Sequence, residues 1–100
     1  MMRVVTESVP SMTIEEFAER HGLTMRVSER PLPVGNAARF YASFDRVEVK
    51  ERGCLVGTYG NGPTPDAAIR AYASRIDLQP LVVDAYKSTR YTISPTRIRP

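Results

Sequence analysis

Apolar residues between positions 12 and 22 recur at the spacing of one helical face, which predicts a first helix over Met12 to Gly22. Thr13 and Glu16 have the spacing of a capping box, in which each side chain bonds the backbone of the other residue. Gly22 follows as the expected C-terminal stop. The sequence therefore specifies both ends of this helix.

A second helical pattern starts after a glycine turn and runs to Ile76. Thr64 suits the N-cap, Pro65 suits the first helical position, and Asp66 places a negative charge at the positive end of the helix dipole. Gly60 and Gly62 are expected to carry the backbone through positive φ on the way into the helix.

Three segments between the helices read as strands, over residues 23–27, 39–50 and 54–59. In the longest of them, Phe40, Ala42 and Phe44 share one face, whereas the valines at 47 and 49 have the opposite parity. A bulge near Asp45 and Arg46 would reconcile the two halves. Gly53 then lies at the positive-φ position of a short hairpin turn.

This order predicts an α+β fold, α-β-β-β-α, with two helices on one face of a three-stranded antiparallel sheet. The other face would carry Tyr41, Ser43 and Thr58. We expect a weakly structured leader over residues 1–11, in which residues 3–6 could add an edge strand and Met12 is an alternative start. A single domain follows over 12–79. Residues 80–100, with weak strand signals at 81–85 and 91–93, form an apolar and basic C-terminal extension that packs on the domain or binds a partner.

Composition is that of a folded globule, with 42% apolar residues and a net charge of +3. No apolar run approaches the roughly 20 residues that cross a bilayer, and no signal-peptide pattern opens the chain. One cysteine allows no internal disulfide, so we expect a cytoplasmic protein. The first 84 residues hold ten Lys and Arg against eleven Asp and Glu, so the excess positive charge belongs to the C-terminal extension.

That extension holds the candidate partner-binding residues, because tyrosine and arginine dominate binding hot spots and also stack on bases and neutralise phosphates. They are Tyr86, Lys87, Arg90, Tyr91, Arg97 and Arg99. A partner protein is favoured over nucleic acid, since the rest of the chain is slightly acidic. Monomer and dimer both stay open.

No complete catalytic signature is present, so we expect no enzyme, no cofactor and no metal. His21 and Cys54 are each the only residue of their type and would be the sole nucleophilic pair. Cys54 opens an apolar strand, where a free cysteine acts as a small hydrophobe. His21 precedes a helix-ending glycine, where a positive charge complements the dipole. The turn at 57–62 matches neither a dinucleotide fingerprint nor a P-loop, and we interpret it as a tight connection.

The order α-β-β-β-α with a glycine turn before the last helix resembles the double-stranded RNA-binding domain. That family binds phosphates with lysines at the start of its second helix. The matching positions, residues 63–67, hold no lysine here. The resemblance therefore implies the fold, with nucleic-acid binding through the C-terminal extension as the alternative function.

Residues 17–25 and 62–68 are also similar to small proteins of bacteriophages and prophages. This second resemblance covers about two thirds of the chain and implies a phage-encoded accessory protein that occupies a surface of a host protein or nucleoprotein complex, such as an inhibitor of host defence. Residues 62–68 are also similar to small antitoxins with a β-β-β-α core.

Overall fold

The computed structural model describes residues 2–4, 8–31 and 38–100. The two helices have 8 and 12 residues, and no helix in these described ranges is long and apolar enough to cross a membrane. The elements, in chain order, are β1 (Ser11–Thr13), α1 (Ile14–His21), β2 (Met25–Glu29), β3 (Phe40–Phe44), β4 (Val47–Glu51), β5 (Cys54–Val56), β6 (Gly60–Gly62), α2 (Pro65–Ile76), β7 (Leu81–Val83), β8 (Tyr91–Ile93) and β9 (Arg97–Arg99).

Both helices have the N-caps that the sequence predicts, although Met12, which was predicted to lie in the first helix, belongs to β1. Thr13 caps α1, accepting from the Glu16 N–H at 3.2 Å, while the Glu16 carboxylate accepts from the Thr13 N–H. Gly22 ends α1 in the left-handed region at φ 63°. Thr64 caps α2 and accepts from the Ala67 N–H at 3.1 Å, with proline next along the chain. Local capping chemistry is therefore sufficient to define both helix starts.

The strands form more sheets than the sequence predicts. A three-stranded antiparallel sheet has the order β2-β3-β6, a four-stranded antiparallel sheet has the order β5-β4-β7-β8, and β1 pairs in parallel with β9. The predicted strand over 39–50 divides into β3 and β4, which belong to different sheets. The predicted strand over 54–59 ends as β5 at Val56, and β6 lies in the segment that was predicted to be a glycine turn. Residues 80–100, expected to be an extension, supply β7, β8 and β9. The expected leader strand over 3–6 falls partly outside the described residues.

The predicted strand over 39–50 is interrupted at Asp45 and Arg46, where the change of side-chain parity predicts an irregularity. Ala42 pairs with Gly60 and Val49 pairs with Val56, so the outgoing chain has three more residues than the returning chain between these pairs. Arg46 adopts the left-handed region there, at φ 62°. The extra residues turn both apolar halves inward, so that Phe44 and Val49 lie in the same core. The change is larger than the single-residue bulge that we expected.

An ion pair joins this turn to the end of β7. Arg46 Nη1 lies 2.9 and 3.0 Å from the two carboxylate oxygens of Asp84, and the Asp84 N–H donates to the Arg46 carbonyl at 3.0 Å. The Asp84 side chain is only 10% exposed, and this residue also has a positive φ, 54°. Hydrogen bonds between ionised groups are stronger than those between neutral groups. These contacts extend the β4-β7 pairing by one residue pair beyond Val47 and Val83.

Helix α2 lies directly on the backbone of β6. A Cβ built on Gly60 would come within 2.1 Å of the Tyr72 nitrogen, and one built on Gly62 within 2.5 Å of the Ala68 nitrogen. Neither glycine has a positive φ, so our prediction that they serve a left-handed turn was wrong. Their role is close approach of two backbones, the other use of a residue without a side chain. Gly53, in contrast, does have the expected positive φ, 80°.

One core joins the helices and both larger sheets. Phe44 contacts Phe17 of α1 at 5.9 Å and Tyr72 of α2 at 5.4 Å between ring centroids, which shows that both helices cover the same face of the β2-β3-β6 sheet. Leu81 and Ile98 are buried in the same cluster. The apolar residues of the predicted extension are therefore part of the domain core.

Replacing Gly60 by alanine should lower the free energy of unfolding by about 3 kcal/mol or more, the upper end of overpacking costs, because the obstructing atoms belong to a helix backbone. Gly57→Ala is the matched control, since nothing lies within 4 Å of a Cβ at that position. Chemical denaturation of both variants measures the difference. Equal stability of the two would contradict the close approach of α2.

Thr64→Ala should cost about 1 kcal/mol, because the Ala67 N–H loses its acceptor, while Thr64→Asn should cost much less because asparagine also caps helices. Thermal or urea unfolding of the three proteins distinguishes these cases. If alanine and asparagine were equally destabilising, the Thr64 side chain would not be the cap.

Candidate binding site on an exposed sheet face

The outward face of the β2-β3-β6 sheet brings together aromatic, basic and amide side chains. Strand alternation points Ala42 and Phe44 at the helices, so the residues between and beside them face away. Ser28, Tyr41 and Asn61 are register partners and form one row across the three strands. We call this surface the tyrosine face; its members are Arg26, Ser28, Arg30, Tyr41, Ser43, Tyr59 and Asn61.

Two tyrosines and one arginine form a cluster at its centre. The rings of Tyr41 and Tyr59 meet edge to face with centroids 6.1 Å apart, and the Arg30 guanidinium lies 4.7 Å from the centre of the Tyr41 ring. Arg30 Nη1 also donates to the Ala38 carbonyl at 2.8 Å, which orients the side chain. Tyr41 remains 37% exposed and Tyr59 48%. The cluster is thus held by internal contacts and still presents aromatic surface to solvent.

Asn61 gives this face an unsatisfied acceptor. Its side-chain oxygen is buried from solvent and has no hydrogen-bond partner among the described residues. A buried polar atom without a partner costs roughly 1–3 kcal/mol. A donor that reached this atom, after the side chains that cover it moved, would recover part of that cost.

The face carries a modest positive charge. The guanidinium of Arg26 lies 3.7 Å from the Asp45 carboxylate, and its side chain is 69% exposed. Within the described ranges, Arg30 makes no ion pair. An acidic group arriving at this surface would therefore meet two guanidinium groups and one competing carboxylate.

The site residues predicted from the sequence fall into two groups. Tyr86, 88% exposed, lies with Lys87 and Arg90 in the turn between β7 and β8, and Tyr91 begins β8 and donates to the His21 carbonyl at 3.4 Å. Two arginines lie on β9 instead.

Both β9 arginines are in ion pairs. Arg97 Nη1 is 2.6 Å from the Asp77 carboxylate, and Arg99 Nη2 is 3.7 Å from Glu16 in the first turn of α1. The structure therefore does not gather the six residues into one cluster: Tyr91 contacts the last residue of α1, and Arg99 lies beside its first turn.

Part of the tyrosine face was predictable from the sequence. Alternation along β3 predicts that Tyr41 and Ser43 face away from the helices, and they do. Thr58, predicted with them, precedes β6 and is only partly exposed. Arg30 and Asn61 were missed, because one follows a strand and the other separates two glycines. The strand alternation of the Gly-Asn-Gly segment was the available signal for Asn61.

The two residues weighed as a nucleophilic pair lie in unrelated surroundings. His21 packs its ring 4.6 Å from that of Phe17, whereas Cys54 is exposed and pairs with Glu51 in the β4-β5 hairpin. No hydrogen bond joins them in the described part of the chain, nor do any three His, Cys, Asp or Glu side chains there form a group suited to a metal.

No family model, curated protein or solved structure matches this chain.

The free energy of unfolding should fall as the pH drops below about 6.5, because His21 titrates differently in the two states. Burial of the imidazole, with a smaller contribution from the Arg20 charge, lowers the pKa of His21 in the fold. As the pH falls, His21 is therefore protonated in the unfolded chain at a higher pH than in the folded one.

Denaturation of wild type and His21→Gln between about pH 7.5 and about pH 5 measures this dependence, with the wild type losing stability more steeply. The pKa values of Glu15 and Glu16 are lowered from 4.5, by the Arg70 hydrogen bond and by the Thr13 backbone, so their contributions disappear at lower pH. Parallel profiles of the two proteins would contradict the role of His21.

Proposed function

We propose that this chain is a non-enzymatic binding protein and that a partner protein contacts the tyrosine face. The observation that carries the proposal is the exposed pair of Tyr41 and Tyr59 with Arg30 stacked on one ring. Tyrosine and arginine are enriched in the few residues that supply most of the binding energy of protein interfaces. Tyrosine also loses little conformational entropy when it becomes buried.

The unsatisfied Asn61 oxygen supports the same surface. Interfaces combine an apolar centre with a small number of hydrogen bonds that define orientation. Here the tyrosine rings would supply the apolar contact, and Asn61, covered in the free protein, would accept from an N–H of the partner once the side chains over it moved. A docking geometry that placed no donor at Asn61 would leave this acceptor unpaired, so the geometry that does place a donor there is favoured.

A protein suits this surface better than nucleic acid does. Binding to a phosphate backbone scales with the number of neutralised phosphates, and the face offers only Arg26 and Arg30. The β9 arginines, part of the phosphate-binding set expected from sequence, are in ion pairs with Asp77 and Glu16. For the alternative function, nucleic-acid binding through the C-terminal segment, Lys87 and Arg90 remain as the phosphate contacts.

The resemblance of residues 17–25 and 62–68 to bacteriophage and prophage proteins supports a more specific proposal. On it, the chain is phage-encoded, acts in the host cytoplasm, and blocks a surface of a host protein or nucleoprotein complex in the manner of an inhibitor. This part depends on sequence likeness, whereas the choice of binding surface depends on geometry.

Replacing both tyrosines of the cluster by serine should weaken affinity for the partner protein by at least about 30-fold, since even one hot-spot residue contributes about 2 kcal/mol. Tyr86→Ser is the matched control, because that ring is 88% exposed at another part of the molecule. The measurement is capture from a bacterial lysate by immobilised protein, with and without nuclease, followed by quantification of each recovered protein.

A second arm measures affinity for a generic duplex and a generic single strand at two salt concentrations. If Tyr86→Ser abolished capture while the double variant did not, the binding surface would be the predicted C-terminal residues. Tight binding to either nucleic acid that weakens steeply with salt, and disappears when Lys87 and Arg90 are replaced, would overturn the protein partner in favour of nucleic acid.

A further inference from the structure

Strand β2 leaves one row of backbone groups unpaired. The Arg30 N–H donates to Arg39, and Thr24 accepts from the Asp45 N–H, both at 2.9 Å. In an antiparallel pair such bonded residues alternate, so the even-numbered residues of β2 bond β3. The N–H and C=O groups that point away from the sheet belong to the odd-numbered residues, Met25, Val27 and Glu29.

No group within the described ranges bonds these outward N–H and C=O groups. An edge of this kind is a template for a further strand. Val27, on the inward side of the same edge, is 37% exposed although its register partner Ala42 is fully buried. The edge therefore offers both unpaired backbone and an apolar side chain that another strand would cover.

The outward side of β2 carries one kind of charge. Arg26 and Arg30 lie on either side of Ser28 in the column that faces away from the helices, and no acidic residue lies in that column. Opposite charges directly across neighbouring strands attract, and like charges repel. A strand added here would be selected for acidic side chains on its outward side.

We propose that the partner adds an extended, acidic segment to the β2 edge, with carboxylates opposite Arg26 and Arg30 and an apolar side chain against Val27. Strand addition gives affinity through main-chain hydrogen bonds and specificity through alternate side chains. This inference rests on the proposed function in taking a protein as the partner, and it gives that partner a conformation and a charge. The added segment would lie beside the tyrosine face and continue its surface.

A second copy of the chain fits the edge less well. An antiparallel pair of two copies centred on Val27 would place each Arg26 diagonally across from the other, within reach of long side chains. It would also bring together two molecules that each carry a net charge of +3. The acidic segment avoids both repulsions.

The probe is a blocked synthetic peptide of about seven residues that alternates glutamate and valine, long enough to pair with the whole of β2. The control is the same peptide with lysine in place of glutamate. Titration by nuclear magnetic resonance should show millimolar or tighter binding of the acidic peptide, weakened by salt. Amide exchange should slow at Met25, Val27 and Glu29 and stay unchanged at Arg26 and Ser28, which already bond β3.

Two variants test the geometry and the charge separately. Val27→Pro removes an N–H that points away from the sheet, a change that edge strands accept, so the chain should fold but lose most peptide affinity. Arg26→Glu should weaken the acidic peptide about fivefold and strengthen the lysine peptide. Because the Arg26 side chain is exposed, Arg26→Glu should fold normally, and its lost binding would not be due to misfolding.

Two different measurements separate this inference from the proposed function: Val27→Pro should remove binding of the acidic peptide, whereas the Tyr41→Ser, Tyr59→Ser double variant should reduce capture of the partner protein. No binding of the acidic peptide at millimolar concentration, or equal binding of both peptides, would overturn the acidic segment and leave the tyrosine face unaffected. Sedimentation as a dimer that Val27→Pro converts to a monomer would assign the edge to a second copy instead.

Discussion

The close approach of α2 to the backbone of β6 is the contact on which the rest of the structure depends. Gly60 and Gly62 allow it, because any side chain at either position would overlap main-chain atoms of the helix. The approach lets Tyr72 reach Phe44 and buries the inward face of a sheet that is only three strands wide. Strand alternation then leaves Asn61, between the two glycines, on the outward face.

Helix α2 also joins the two larger sheets. Its apolar face packs on the β2-β3-β6 sheet, and Ile76 at its end shares a cluster with Leu81 and Val83 of the other sheet. Asp77, directly after the helix, accepts from the Ile98 N–H at 2.8 Å and pairs with Arg97. Residues that looked like a basic extension are held by these contacts, and the outward face of the smaller sheet is left as the surface with unsatisfied chemistry.

Features specified by a few neighbouring residues were predictable from the sequence. The caps at Thr13 and Thr64, the stop at Gly22 and the change of parity near Arg46 all depend on short-range chemistry, and each was located correctly. The division into separate sheets was not predictable, because pairing of Val49 with both Val56 and Leu81 is decided by the whole fold. Gly60 was misread for a related reason, since a glycine that serves close packing looks the same in sequence as one that serves a turn.

The candidate site shows the same limit. Tyr41 and Ser43 follow from alternation along one strand, but the cluster needs Arg30 from the end of another strand and Tyr59 from a third segment. Composition drew attention instead to the C-terminal tyrosines and arginines. Hot-spot residue types are informative when the fold shows which of them are exposed together, and a count along the chain does not supply that information.

The position of β7 has a consequence for how the chain acquires its structure. Val49 pairs with Leu81 and Val47 with Val83, so β4 obtains this neighbour from a segment that follows α2. Pairing between segments so distant in sequence is a slow step, because the intervening chain must first be ordered. During synthesis, the β4-β5 hairpin would emerge well before β7, with its valines unprotected. The four-stranded sheet can therefore be completed only after β6 and α2 have been synthesised. Until β7 pairs with β4, the exposed hairpin is prone to aggregation.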